Sequence, residues 1–274
     1  MEPAGAPPGH CNEAPGISPA RTFAAILGSV VIEIQHLSKS FGDLRVLEDV
    51  SLHVHRGRTR VILGSSGSGK TVLMKHMIGL LKPDAGRVLV EGEDITKLDA
   101  KRLLALRYKF GMVFQQAALF DSMTVGDNIA FPLREHTKLS EAEIAQKVAD
   151  KLEVVGLAGI EHKLPAELSG GMRKRVGLAR ALMLEPACVL YDEPTTGLDP
   201  LTTDNVDQMI LDASRRLQVT SVVISHDVGS ALKVADDIAV IHEGRIIEDC
   251  PAAEIRASPH PFVQRFLATW FDKQ

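Results

Sequence analysis

The sequence is poor in the features that would pin it to several large functional classes. It has three cysteines in 274 residues, Cys11, Cys188 and Cys250. They are odd in number, far apart and without metal-ligand spacing. That excludes a disulfide scaffold and a cysteine-based zinc site, and it suits reduced thiols in a cytosolic protein. There is no excess of positive charge: the formal net charge is -4. A phosphate-binding surface for nucleic acid usually shows as a basic surplus, so nucleic acid is not expected to be the main partner. There is also no long apolar run. The stretch Phe23 to Ile32 stops at Glu33, far short of the ~20 residues of a spanning helix. With no basic n-region and no cleavage site, it is not expected to be a signal peptide. Any membrane role is therefore expected to come through a partner. Sustained heptads and internal repeats are missing as well, which speaks against coiled-coil arms and solenoids.

What is present is alternation. Residues 1 to about 20 are rich in Pro, Gly and Ala and are expected to be disordered. From Val30-Val31-Ile32-Glu33-Ile34 onward, short apolar runs read as strands: Arg60 to Leu63, Arg87 to Val90 after the turn Lys82 to Gly86, Met112 to Phe114, Cys188 to Tyr191 and Thr220 to Ile224. Between them lie helical patterns. One follows Lys70, with Leu73, Met77 and Leu80/Leu81 on one face and Gly79 tolerated inside. Another starts at Ser140-Glu141-Ala142-Glu143, which has the capping-box form, and continues through Ile144, Val148, Leu152 and Val155. A third carries Val206, Met209, Ile210, Ala213 and Leu217. The alternation predicts an α/β layer with a mainly parallel sheet. The stretch from about 115 to 165, without strands, predicts a helical insertion.

Gly64-Ser65-Ser66-Gly67-Ser68-Gly69-Lys70-Thr71 matches G-x-x-x-x-G-K-[ST], after a strand and opening a helix. Glycines let the backbone wrap phosphates closely, and the helix N-terminus supplies partial positive charge. Lys70 is expected to reach the β- and γ-phosphates of ATP, and the Thr71 hydroxyl to ligate Mg²⁺. Val189-Leu190-Tyr191-Asp192-Glu193 is an apolar strand ending in two acids. Such an end needs a cation or a polar network. Asp192 suits holding Mg²⁺ and Glu193 suits acting as general base on the attacking water. Ser169-Gly170-Gly171-Met172 then precedes Arg173-Lys174-Arg175 and an apolar helical run. Ser169 can cap that helix while the glycines bare N–H groups, which makes a second anion-binding turn. The basic triplet reads as a solvated helix face near phosphate.

The segment around Ser169 resembles the signature of ABC ATPases, with Met172 where the usual form has Gln. The resemblance covers about residues 30 to 250. It implies an ABC nucleotide-binding domain: a P-loop NTPase with a RecA-like core, an N-terminal antiparallel β subdomain and a helical subdomain. It further implies a homodimer binding ATP head to tail, the phosphate loop of one chain facing the signature turn of the other. Gln115 resembles the Q-loop glutamine that contacts Mg²⁺ and senses the γ-phosphate. Gly197-Leu198-Asp199 resembles the D-loop, and His226 the switch histidine. Phe41 is a candidate adenine stacker, with a core phenylalanine as the alternative.

Finer resemblance lies in Ala118 to Val125, in Asn128-Ile129-Ala130-Phe131-Pro132-Leu133-Arg134-Glu135-His136-Thr137, in Met172 and in the tail Pro261 to Leu267. These are similar to the ATPases of Mla- and Mce-type lipid transport systems. That implies work at the cytoplasmic face of a bacterial inner membrane, with an integral permease, an Mce-domain substrate-binding protein and a small STAS-domain subunit. An importer for polar solutes such as amino acids, and a non-transport ABC regulator, are the competing readings. The chain thus divides into a disordered extension (1–28), the ATPase domain (29–250) and a helical tail (251–274), whose Phe262, Phe266, Leu267, Trp270 and Phe271 are expected to pack on their own domain or on a neighbour.

Overall fold

The computed structural model describes residues 30–115 and 117–271, apart from the Arg216 side chain. The expected disorder of residues 1–28 lies outside them. Among the described residues, ten strands form two sheets. Four strands, β1 (Val30–Phe41), β2 (Leu44–His55), β4 (Ala85–Val90) and β5 (Glu93–Asp94), make an antiparallel sheet in the order β2-β1-β4-β5. The other sheet runs β10-β9-β3-β8-β7-β6. It is built from β3 (Thr59–Leu63), β6 (Phe110–Val113), β7 (Cys188–Asp192), β8 (Thr220–Ser225), β9 (Asp237–His242) and β10 (Arg245–Pro251). All its pairings are parallel except β10 with β9.

Every residue of β3 and β8 is buried. A parallel strand covered on both faces needs apolar side chains in both directions, and the runs supply them. Ile62, Leu190 and Ile224 join one core, shared with the antiparallel sheet and with Leu73, Met74 and Met77 of α1 (Lys70–Met77). Val61, Val189, Tyr191 and Val223 join a second core on the opposite face. That face is covered by α3 (Val125–His136), α4 (Glu141–Val154), α5 (Gly170–Ala181), α6 (Pro200–Leu217), α7 (Val228–Val234) and α8 (Pro261–Phe271). The remaining helix, α2 (Ala100–Arg107), follows β5.

The helical insertion contains α3 and α4, and the Ser140/Glu143 capping box is formed in both directions. Asn128, fully buried, binds Phe120 twice: its Oδ1 accepts from the Phe120 N–H at 2.8 Å and its Nδ2 donates to the Phe120 carbonyl at 3.0 Å. That bond pair pins the 118–124 segment to α3. One expectation fails. Gly79 is not inside α1: the helix ends at Met77, and Gly79 has φ 63. The Gly79 N–H bonds the His76 carbonyl and the Leu80 N–H bonds the Lys75 carbonyl, the paired closure that needs a left-handed residue past the helix end. Leu80 therefore leaves the face shared by Leu73 and Met77 and is half exposed. The tail packs on its own domain: Val263 and Leu267 are buried, Phe262 stacks on His242 with ring centroids 3.7 Å apart, and Trp270 lies against Gly229 of α7.

Candidate functional site

The register of the parallel sheet brings the predicted residues to one edge. Leu63 pairs with Ser225, Asp192 with Ile224, and Val113 with Tyr191. The segments following β3, β8, β7 and β6 therefore leave the sheet side by side at its carboxyl edge, where open α/β sheets bind ligands. They carry Gly64–Gly69, His226, Glu193 and Gln115 respectively.

The loop from Gly64 to Gly69 is shaped by close approach. A Cβ on Gly64 would lie 2.4 Å from the Ile241 carbonyl oxygen, and Gly69 (φ 104) is pressed by Leu47 and the Val46 carbonyl of β2. Lys70 is 5% exposed. Its Nζ donates to the carbonyls of Gly64 at 2.9 Å and Ser65 at 3.0 Å, and lies 3.3 Å from Glu193 Oε1. Ser68 Oγ, inside the loop, is buried with no hydrogen-bond partner.

Glu193 joins the other groups. Its amide bonds the Ile224 carbonyl at 2.9 Å, and its backbone then turns left-handed, with φ 49. A non-glycine residue holds that conformation only where the surroundings impose it, and such residues cluster at functional sites. Oε1 faces Lys70, while Oε2 lies 2.7 Å from His226 Nδ1 and accepts from Thr196 Oγ1 at 3.1 Å. A carboxylate fixed between a cation and an imidazole can take a proton from a water and hold that water in line with a phosphate seated over Lys70. Next to it, Thr71 Oγ1 donates to Asp192 Oδ1 at 3.4 Å. Burial pushes the Asp192 carboxyl above the ordinary carboxylate range, against the opposing pull of Thr71.

The remaining predicted residues stand elsewhere. Ser169 is exposed and caps α5, its Oγ accepting from the Met172 N–H at 3.2 Å. Asp199 caps α6, accepting from the N–H groups of Leu201 at 3.0 Å and Thr202 at 3.1 Å. Ser169, Gly170 and Gly171 line a groove of about 240 Å³ with Gly197, Asp199 and Thr202. No hydrogen bond or ion pair among the described residues links this group to Lys70 or Glu193. Gln115 is exposed and faces a cleft with Lys174 and Gly197. Phe41 is 46% exposed at the tip of the β1–β2 hairpin with Lys39 Nζ 5.5 Å from its ring centre, so it is not a core phenylalanine.

The basic triplet departs from the expected solvated face at Lys174, while Arg173 is exposed. Arg173 donates to the Leu168 carbonyl, Arg175 to the Val155 carbonyl and Lys174, 5% exposed, to the Pro194 carbonyl. Three contributors escaped the sequence reading: Thr196, Lys174 and Arg180, whose guanidinium grips the carbonyls of Ala117 and Ala118 at 2.9 Å each. Lys174 had a signal, since it shares a helical face with Leu178 and Ala181. Thr196 and Arg180 had none.

A family model described as ABC transporter matches residues 47–196. Over 238 residues the chain is 46% identical to a protein of Mycobacterium leprae described as a probable ribonucleotide transport ATP-binding protein, mkl, covering 87% of this chain and 69% of that one. Relatives of the same description from Mycobacterium tuberculosis are longer, and the chain spans 66% of them. It is 40% identical over 237 residues to the intermembrane phospholipid transport system ATP-binding protein MlaF of Escherichia coli, covering 86% of this chain and 88% of MlaF. Among solved structures it resembles the dimeric, post-hydrolysis state of an ATP-binding cassette bound to ADP and Pi, with TM-score 0.72 and 28% identity over 81% of this chain and 98% of that one. The chain belongs to the ABC transporter family, as one of its ATP-binding and ATP-hydrolysing subunits.

Proposed function

We propose that two copies of this chain close head to tail on two ATP molecules and drive the movement of phospholipid through a separate membrane permease. The observation that carries the shared site is the separation just described. One anion-binding helix start, at Lys70, has a cation, an acid and a histidine around it. The other, at Ser169–Gly171, opens on its own groove with Arg175 and Asp199, and no hydrogen bond or ion pair among the described residues joins it to the first. Each turn is half of a site, and head-to-tail pairing completes both. The dimeric cassette that the chain resembles supports that arrangement.

In this reading the Gly64–Gly69 amides and Lys70 hold the phosphates, and Phe41 stacks on the adenine. Glu193 takes the proton of the attacking water, and His226 steadies Glu193 and the γ-phosphate. Thr71 and Asp192 fit Mg²⁺: a hydroxyl and a carboxylate oxygen 3.4 Å apart are hard donors of the kind it takes. Gln115 would complete that set. Mg²⁺ when bound would neutralise charge developing on the phosphate oxygens.

Phospholipid as cargo is supported by the match to nearly the whole of MlaF. Among the described residues no helix is long and apolar enough to cross a membrane. The subunit would therefore sit on the cytoplasmic face of the inner membrane through its permease, in a complex with an Mce-domain protein and a STAS-domain subunit. The mycobacterial relatives, described as probable ribonucleotide transport proteins, favour a second cargo, ribonucleotide. The two are separated by purifying the chain with its genomic neighbours and assaying ATP turnover in vesicles. Co-purifying phospholipid, and ATP-dependent lipid transfer between vesicles, are expected. Stimulation by ribonucleotide without lipid transfer would favour the second cargo.

A further inference from the structure

Two lysines of this chain are each 5% exposed. Lys70 is accounted for by the phosphate loop. Lys174, in the first turns of α5, is not. Among the described residues no carboxylate lies within ion-pair distance of it, and its ammonium donates to the Pro194 carbonyl. Keeping an ammonium in an apolar place is costly, and burial pushes the Lys174 pKa down. A methionine there would extend the row of Leu178 and Leu182 without that cost. What the lysine adds is one directed bond, and its acceptor stands at a particular place. Pro194 directly follows Glu193, whose backbone is held at φ 49, and Thr196 two residues on hydrogen-bonds the same carboxylate. The donor's place is equally particular. Lys174 lies one turn inside the helix that begins with the Ser169–Gly171 turn. Its neighbours Arg173 and Arg175 bond carbonyls elsewhere, at Leu168 and Val155, so the link to the Glu193 segment falls to Lys174.

We propose that Lys174 is a positioning residue that couples the two ATP sites of the dimer, by tying the helix that closes on the partner's nucleotide to the segment carrying this chain's own Glu193. The proposal rests on the shared-site reading above. When the Ser169–Gly171 turn engages one ATP, α5 shifts as a rigid rod. The bond to Pro194 passes that shift to Glu193, which works on the other ATP. Engagement at one site thereby sets the geometry of hydrolysis at the second.

The test uses the full-length chain and follows ATP turnover against ATP concentration. Lys174→Met keeps the length and apolar body and removes the donor; Lys174→Arg and Lys174→Gln keep a donor. For Lys174→Met, kcat is expected to fall about tenfold with KM within about twofold of wild type, because the loss is confined to the hydrolytic geometry. The Hill coefficient is expected to drop toward one, with substantial recovery of both in Lys174→Arg. In a Glu193→Gln background, Lys174→Met is expected still to dimerise on ATP in gel filtration. Unchanged kcat and Hill coefficient in Lys174→Met would overturn the proposal. So would a rise in KM with kcat preserved, or loss of the ATP-dependent dimer only in the double variant, since Lys174 would then support the signature turn alone. If Lys174→Met does not fold, Lys174→Leu takes its place as the donor-free variant with the same readouts. Donor variants that fold but stay as uncooperative as the donor-free variant overturn the proposal. If Glu193→Gln alone stays monomeric in ATP, the shared-site reading falls, and coupling between sites falls with it.

Discussion

The chain builds two glycine-rich helix starts, and they differ in what surrounds them. At the first, Lys70 is buried yet lies 3.3 Å from Glu193, and Glu193 is in turn 2.7 Å from His226. Charges are balanced within a few ångströms. At the second, Ser169 and Asp199 are exposed helix caps, and the charges buried nearby are poorly matched. Lys174 has a carbonyl in place of a carboxylate, and Asp207 on α6 is 3% exposed with one oxygen unpartnered. The phosphate-loop half is electrostatically finished in one chain. In the shared-site reading proposed above, the second half would take its charged partner from the other chain.

The comparison can be broken most severely at Glu193. Glu193→Gln keeps the shape and removes the base, so ATP turnover is expected to fall at least about a hundredfold, while ATP binding survives and traps the dimer. Near-wild-type turnover, measured by phosphate release, would take Glu193 out of the base role. The division of labour itself is tested by mixing. Lys70→Ala disables one half and Gly171→Glu the other, and each chain alone is expected to be inactive. An equal mixture forms mixed dimers with one intact site, so up to about a quarter of wild-type turnover is expected to return. No recovery on mixing, together with no ATP-dependent mixed dimer in gel filtration, would mean that both turns serve a site within one chain.

The smallest effect concerns charge balance. Burial is the main reason that the Asp207 carboxyl is raised to about 6 from an ordinary 3.8. A carboxyl raised on folding carries no penalty where it is protonated in both states. The penalty grows as pH rises from the unfolded toward the folded value, and is full above the latter. Asp207→Asn is therefore expected to be more stable than wild type at about pH 7, by about 3 kcal/mol or roughly 9 °C in Tm, with the gain shrinking toward zero near pH 4. A gain that persists unchanged at acid pH would point to packing, not charge.

How far the sequence disclosed this can be judged residue by residue. The sheet was legible because strands buried on both faces must be continuous apolar runs, as at Val61–Leu63 and Val189–Tyr191. The phosphate loop, Asp192, Glu193 and His226 were legible because motif order fixed them, and parallel register then gathered them. Gly79 misled, since a glycine that ends a helix and one tolerated inside it look alike when leucines follow at helical spacing. Lys174 misled because charge suggested solvent, whereas a lysine in line with Leu178 and Ala181 goes inward. Thr196 and Arg180 were illegible: their partners are set by tertiary contact, and no period or spacing encodes it.

The left-handed backbone of Glu193 has a consequence for how this position can vary. The conformation suits glycine and costs any residue with a Cβ, so if Glu193 is the base proposed above, the position gives up stability for ATP turnover. Chains that drift toward greater stability are offered an easy gain here, and accepting it would silence them. Glu193→Gly would then trade turnover for stability at a single position.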